Sequence, residues 1–209
     1  MKKEELRELL LQGFHFRHAC KIFDENKKIS DEDFQFLCEV ARLSPSSFGL
    51  EAWRILIIQS QDLRKKLKPL CWNQKQITTA SHLIAFITKK EKILKDKAWL
   101  KDAFKKKGAG LATPVYIAKF LSFLKANHGG TENEWSHKQS YIPMTNMMSL
   151  ASFLEIDSCP IEGFEPQKVS ELLELDEMEE VSILCAFGYR KNEQKPKIRR
   201  PLSEIISWI

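Results

Sequence analysis

A chain of 209 residues, 43% of them hydrophobic, can bury one substantial core and sits near the upper end of single-domain size, so one domain over residues 1–209 is expected. Its 33 Lys and Arg against 28 Asp and Glu leave a formal charge of +5, enough to attract phosphate-bearing ligands and too little to demand a nucleic-acid partner. The cysteines Cys20, Cys38, Cys71, Cys159 and Cys185 form no Cys-x-x-Cys pair and no ligand spacing, which speaks against a metal site or a disulfide framework and for a reduced, cytoplasmic setting.

Met1-Lys2-Lys3-Glu4-Glu5 leads into a charged amphipathic stretch and not an apolar signal core, and no run reaches the ~18 apolar residues of a membrane span, so no membrane partner is expected. Leu6, Leu9, Leu10 and Phe14 recur at helical spacing. A second helix starts at Ser30, with Asp33 in an acidic first turn, and should bury Phe34, Leu37, Val40 and Ala41. Arg17 to Lys21 falls in the connection between the two. Arg54 to Ile58, Leu83 to Thr88 and Val181 to Ala186 are short and rich in β-branched residues; nearly continuous in apolar character, they are expected as central strands covered on both faces. Helical stretches follow over Asp96 to Phe104, Pro114 to Asn127 and Glu134 to Leu154, with Asn127-His128-Gly129-Gly130-Thr131 as an exposed loop. Helices and strands interleave too unevenly for a regular βαβ series, so the fold class expected is α+β, a layered domain with a central mixed sheet flanked by helices.

No Gly-x-Gly-x-x-Gly follows a strand, and neither Gly-x-Ser-x-Gly nor His-Glu-x-x-His occurs, so the chemistry must come from a bound cofactor and no side chain stands out as catalytic. Three segments carry the information: Arg17-His18-Ala19-Cys20-Lys21, Pro45-Ser46-Ser47-Phe48-Gly49-Leu50-Glu51-Ala52-Trp53 and Pro160-Ile161-Glu162-Gly163-Phe164. Each alone is a weak signal. As an ordered set they resemble the flavin-binding pattern of the FMN-dependent nitroreductase family, and the likeness runs nearly end to end.

Two arbitrary cations such as Arg17 and Lys21 ordinarily belong to a solvated surface. The resemblance implies instead that Arg17, with His18 and Ala19 beside it, binds the FMN phosphate and that Lys21 sits near the N1–C2=O edge of the flavin. Both roles make chemical sense, because Arg offers a bidentate fork to phosphate and a fixed cation favours negative charge collecting on a reduced flavin. Lys197 and Arg199 align with the basic pair that completes the phosphate site, with a solvated tail as the competing reading. The resemblance further implies that residues 191–209 form an extension crossing onto a partner subunit, whose apolar end Ile205-Ile206-Ser207-Trp208-Ile209 should not be left in water.

Pro45, Ser46, Ser47 and Gly49 would reach the flavin from the second subunit, as would Gln139, although a Ser-Ser pair is usually a turn and a helical Gln usually solvated. Gly49, Glu51 and Ala52 depart from the commoner pattern of Asn, Gln and Pro. Asn73 matches a flavin-ring ligand, and Gln76 stands where many members have Lys. His82 reads as a satisfied core or strand-edge histidine. Pro160, Ile161, Glu162 and Gly163 would lay their backbone along the ring, with the Glu162 amide at N5 and the Gly163 amide at O4, glycine permitting close approach.

The implied activity is that of a homodimeric FMN oxidoreductase. NADH or NADPH passes hydride to flavin N5, and a nitro-aromatic, quinone or free flavin then collects it in ping-pong fashion. The segments look nearest to the branch of NAD(P)H-flavin oxidoreductases with nitroreductase activity. Two alternatives remain open on sequence: a non-enzymatic basic binding protein using Lys101 to Lys107 and the tail, and a family member performing another flavin reaction such as reductive dehalogenation.

Overall fold

The computed structural model describes residues 2–209. Helix α1 (Lys3–Phe16) opens with Glu4 and Glu5 in its first turn, where carboxylates favour the positive helix end, and the Lys2 amide donates to Glu5 Oε2 at 2.9 Å. Its predicted apolar stripe is present but faces outward, Phe14 being 53% exposed. At Gly13 the helix crosses the end of α8 (Glu132–Phe153) so closely that a Cβ would lie 2.3 Å from the Phe153 ring.

Helix α2 (Asp31–Arg42) is capped by Ser30, whose hydroxyl accepts from the Asp33 amide at 3.1 Å. It buries Phe34, Leu37 and Ala41, whereas Val40, expected in that set, is half-buried at the margin of the helix face. The sheet comprises β1 (Trp53–Ile58), β2 (His82–Lys89), β3 (Asp157–Ile161) and β4 (Glu179–Gly188) in the order β1-β2-β4-β3. All three pairings are antiparallel. The sheet is thus antiparallel where a mixed one was expected; among the described residues the one parallel contact is the isolated bridge between Ala19 and Ser158.

On β2 and β4 alternate side chains face opposite ways. Ile84, Phe86, Ile183, Cys185 and Phe187 pack with Phe34, Leu37, Met144, Met147 and Ala151 of α2 and α8. Leu83, Ala85, Leu184 and Ala186 pack with Leu67, Ile77 and Val169 on the other face. Those come from α3 (Gln61–Leu70), α4 (Gln76–Thr79) and α9 (Pro166–Leu172), giving helix, sheet and helix layers. β2 and β4 are thus covered on both faces, as expected, but β1 is not: Ile57 is 43% exposed because this edge strand projects past the helices.

A separate apolar cluster joins α5 (Glu91–Leu94), α6 (Lys97–Lys106) and α7 (Thr113–His128) around Leu100, Phe104, Phe120 and Trp135. Helix α7 runs on through His128, so the predicted loop shrinks to Gly129–Thr131, where Gly130 takes φ +85°. Across the sheet, Glu179 accepts from Arg54 Nη2 and Lys89 Nζ, each at 2.6 Å. The Arg54 hydrogen bond, assisted by Lys89 against the effect of burial, pulls the Glu179 carboxyl down to about 2. Among the described residues no helix is long and apolar enough to cross a membrane.

Candidate functional site

The segment after α1 is strapped onto the sheet by its backbone. Cys20 N donates to Ser158 O at 3.1 Å, Asp24 N to Tyr189 O at 2.8 Å, and Lys191 N back to Ile22 O at 3.1 Å. Beneath it Asp157, 2% exposed, accepts from Arg190 N at 2.8 Å and Arg190 Nε at 3.0 Å, while Arg190 Nη2 lies 2.7 Å from its other oxygen. His18 Nδ1 sits 3.4 Å from Asp157 Oδ1. Burial holds the His18 ring below its usual range, Asp157 opposing and Arg190 reinforcing.

Above this platform opens a cavity of about 660 Å³ between residues 17–22 and the tail segment 192–199. Arg17, Lys21, Lys195, Lys197 and Arg199 line it, and among the described residues none of them pairs with a carboxylate. Among the described residues the Arg17 guanidinium has no hydrogen-bond partner. Lys197 Nζ donates to the carbonyls of Phe14 and Arg17, tying the tail to the end of α1, and burial followed by Arg17 and Arg199 depresses its pKa. Unpaired cations gathered around a void fit a multiply charged anion such as a phosphate ester.

The second part of this cluster is a chain of side chains along the end of β3. Lys21 Nζ donates to Cys159 Sγ at 3.4 Å, and Gln76 Nε2 lies 3.7 Å from the same sulfur and donates to Gln74 Oε1 at 2.8 Å. Gln74 Nε2 in turn donates to Gly163 O at 2.8 Å. Burial pushes the Cys159 thiol upward, with Lys21 opposing. Pro160 and Ile161 close β3, whose place at the sheet edge tolerates a residue without an amide donor. A Cβ on Gly163 would lie 2.5 Å from the Trp72 ring, so that indole is a second reason for glycine here. Trp72 and Asn73 both take left-handed backbone, at φ +53° and +55°, and both are exposed at the site. Glu162 Oε1 accepts from Tyr141 Oη at 2.5 Å.

Ser46, Ser47, Gly49 and Gln139 form a different group. The Ser47 amide donates to Gln139 Oε1 at 2.8 Å, and Ser46 Oγ accepts from the Glu51 amide at 2.9 Å. Pro45 leads into this turn, in which Phe48, Gly49 and Glu51 all have positive φ. Among the described residues no hydrogen bond connects it to Arg17, Lys21 or Gly163. Lys107 pairs with Glu51 and Lys106 with Asp102, so the basic run over Lys101 to Lys107 is partly neutralised. His82 stacks on Phe34 at 3.7 Å with Ser81 Oγ 3.1 Å from Nδ1, the satisfied strand-edge histidine that was expected.

The structure therefore brings Arg17, His18, Ala19, Lys21, Lys197 and Arg199 to one cavity and links Lys21, Gln76 and Gly163 through Cys159 and Gln74. Sequence reading missed Gln74, Tyr141, Asp157, Cys159 and Arg190 as parts of this region. Gln74 lies between Asn73 and Gln76, and Asp157 to Cys159 directly precede Pro160; Tyr141 and Arg190 carry no signal beyond their neighbours.

Residues 15–189 match the family model described as "Nitroreductase family". The chain is 41% identical over 217 aligned positions to a Staphylococcus haemolyticus protein named "Putative NAD(P)H nitroreductase", covering 98% of this chain and 99% of that one. Among solved structures, a Bacillus subtilis protein titled as a nitroreductase superimposes with a TM-score of 0.81 at 20% identity, covering all of both chains. A third similar protein, from Exiguobacterium sibiricum, was solved in complex with FMN; its TM-score is 0.77 at 24% identity, over 96% of this chain and 97% of that one.

Proposed function

The chain belongs to the nitroreductase family, and from that premise we propose that it is an NAD(P)H-dependent FMN oxidoreductase that reduces nitro-aromatics, quinones or free flavin. The observation that carries this reading is the set of cations around the 660 Å³ cavity, unpaired with carboxylates and fitted to the phosphate of FMN. Arg17, Lys197 and Arg199 would hold that phosphate, with His18 and Ala19 supplying backbone beside it. Lys21, Asn73, Gln76 and the Pro160-Ile161-Glu162-Gly163 backbone would hold the ring system. When bound, FMN supplies hydride acceptance and donation at a single ring nitrogen, which none of the side chains here can do.

The protein's share is orientation and electrostatics. Lys21, anchored on the Cys159 sulfur, keeps a cation at fixed depth beside the ring-binding backbone. Gln76 contributes a neutral donor where many members carry a second cation, so Lys21 is the main source of positive charge there. The belt from Gln76 through Gln74 fixes the Gly163 carbonyl and with it the Gly163–Phe164 peptide that ends the ring-binding backbone. No proton transfer by a side chain is required, and donor and acceptor use the same pocket in turn.

Ser46, Ser47, Gly49 and Gln139, held to one another and apart from the first cluster, suit a site completed across a homodimer. In that arrangement residues 192–199 stay on their own chain's cavity, while the apolar end 202–209 of the extension and the outward stripe of α1 lie on the partner. Two measurements test the reading. Mass spectrometry of cofactor released from the purified yellow protein should give FMN, and FAD would refute it. Steady-state double-reciprocal lines should be parallel, and intersecting lines would refute the shared pocket.

A further inference from the structure

We propose that the Asp157–Arg190 ion pair is the positioning device for the phosphate-binding Arg17, acting through the residues on either side of it; the inference rests on the FMN reading above. Neither Asp157 nor Arg190 lines the cavity. Yet the pair touches both neighbours of Arg17, by a hydrogen bond on one side and by close approach on the other. On one side Arg190 Nη2 donates to the Phe16 carbonyl at 3.4 Å, and its guanidinium carbon lies 4.0 Å from the centre of the Phe16 ring. On the other, Asp157 Oδ1 lies 3.4 Å from His18 Nδ1.

Arg17 differs from its flanks. Among the described residues its side chain has no hydrogen-bond partner, so its own backbone sets where its fork begins. A long flexible cation binds phosphate well only if the backbone that carries it is fixed beforehand. Asp157 and Arg190 are joined by three contacts, one from the Arg190 amide, and Asp157 is buried at the start of β3. A buried ion pair is weak evidence for stability as such, since apolar residues of similar volume often serve as well. What the forked geometry adds is direction: it holds Phe16 and His18 at set places relative to β3.

The test separates a phosphate-specific role from a general one by using two ligands that differ only in the phosphate. Affinities of FMN and riboflavin are measured by fluorescence titration on the full-length wild type, Asp157→Asn and Arg190→Lys, the last keeping charge but losing the fork. FMN affinity should fall roughly tenfold in both variants, the scale on which partners behind a ligand-binding residue usually act, while riboflavin affinity stays unchanged. Equal losses for both ligands would overturn the proposal, as would no loss for either. If Asp157→Asn does not fold, Arg190→Lys decides; failure of both to fold would make the pair a folding element and overturn the positioning role. A wild type that binds FMN no tighter than riboflavin would instead refute the phosphate site itself.

Discussion

Tyr141 Oη donates to Glu162 Oε1 across 2.5 Å, joining the middle of α8 to the loop that follows β3. Burial first, and then the Glu162 carboxylate, push the tyrosine hydroxyl above its ordinary range, so it stays protonated as the donor throughout the working pH range. Tyr141→Phe should cost about 1 kcal/mol of stability, the usual net worth of one such bond, seen as a lower urea midpoint with unchanged slope. Amide exchange at Glu162 and Gly163 should quicken more than at β2 amides; uniform changes would show that the bond does not hold the loop.

Arg17 and Lys21 should separate on substitution. A phosphate contact contributes equally whatever the redox state of the flavin, so Arg17→Ala should weaken FMN binding by roughly 10- to 100-fold, as expected for a charge-assisted hydrogen bond, and leave the reduction potential in place. Lys21→Ala should retain more FMN and lower the potential, because a cation near the ring favours the reduced anion. Potentiometric titration of the two variants checks this, and equal potentials in wild type and Lys21→Ala would contradict the role given to Lys21.

Deleting residues 202–209 should shift the protein toward monomer or aggregate and release FMN. Within one chain this apolar end is bare, Trp208 being 96% exposed, and obligate interfaces commonly bury on the order of 2,000 Å² or more. Sedimentation of wild type and truncation at nanomolar protein reads the outcome. A wild-type monomer that remains yellow and active would contradict a site shared between two chains.

Acid should expose the Glu179 network. Its folded-state pKa is about 2, held there by Arg54 and Lys89, against ~4.3 in an unfolded chain. The pKa is depressed on folding, so this stabilisation is complete above about 4.3 and is lost as pH falls toward 2. Glu179→Gln should lower stability at pH 7 by roughly 1–3 kcal/mol, less than a fully buried pair because Arg54 is half-exposed, and flatten stability across that acid window. Thermal melts at pH 3, 4 and 7 measure both effects.

Much of the scaffold was legible because β2 and β4 carry unbroken apolar runs and α2 announces itself through Ser30 and Asp33. Strand β3 was not: Asp-Ser-Cys-Pro-Ile contains a carboxylate, a hydroxyl and a proline, and its burial is visible only once Arg190 pairs with Asp157 and the 17–20 segment bonds to the Ser158 backbone. Helix α3 is rich in lysine, with Pro69 in its last turn, and α9 has only seven residues, so neither announces itself by apolar content. At the candidate site, Arg17 and Lys21 were readable as a motif. The Gln74–Gly163 and Tyr141–Glu162 contacts were not, since pattern carries residue type and spacing but not which side chains meet across the fold.

Strand β1 pairs only with β2, leaving its outer side as an open edge over Trp-Arg-Ile-Leu-Ile-Ile. Such a segment, short, strongly β-forming and without proline, can template the addition of another chain. Its one charge, Arg54, is already drawn inward to Glu179 and cannot act as a free gatekeeper. Losing that ion pair therefore has two opposed consequences: it loosens the sheet, and it frees the Arg54 charge to guard the open edge.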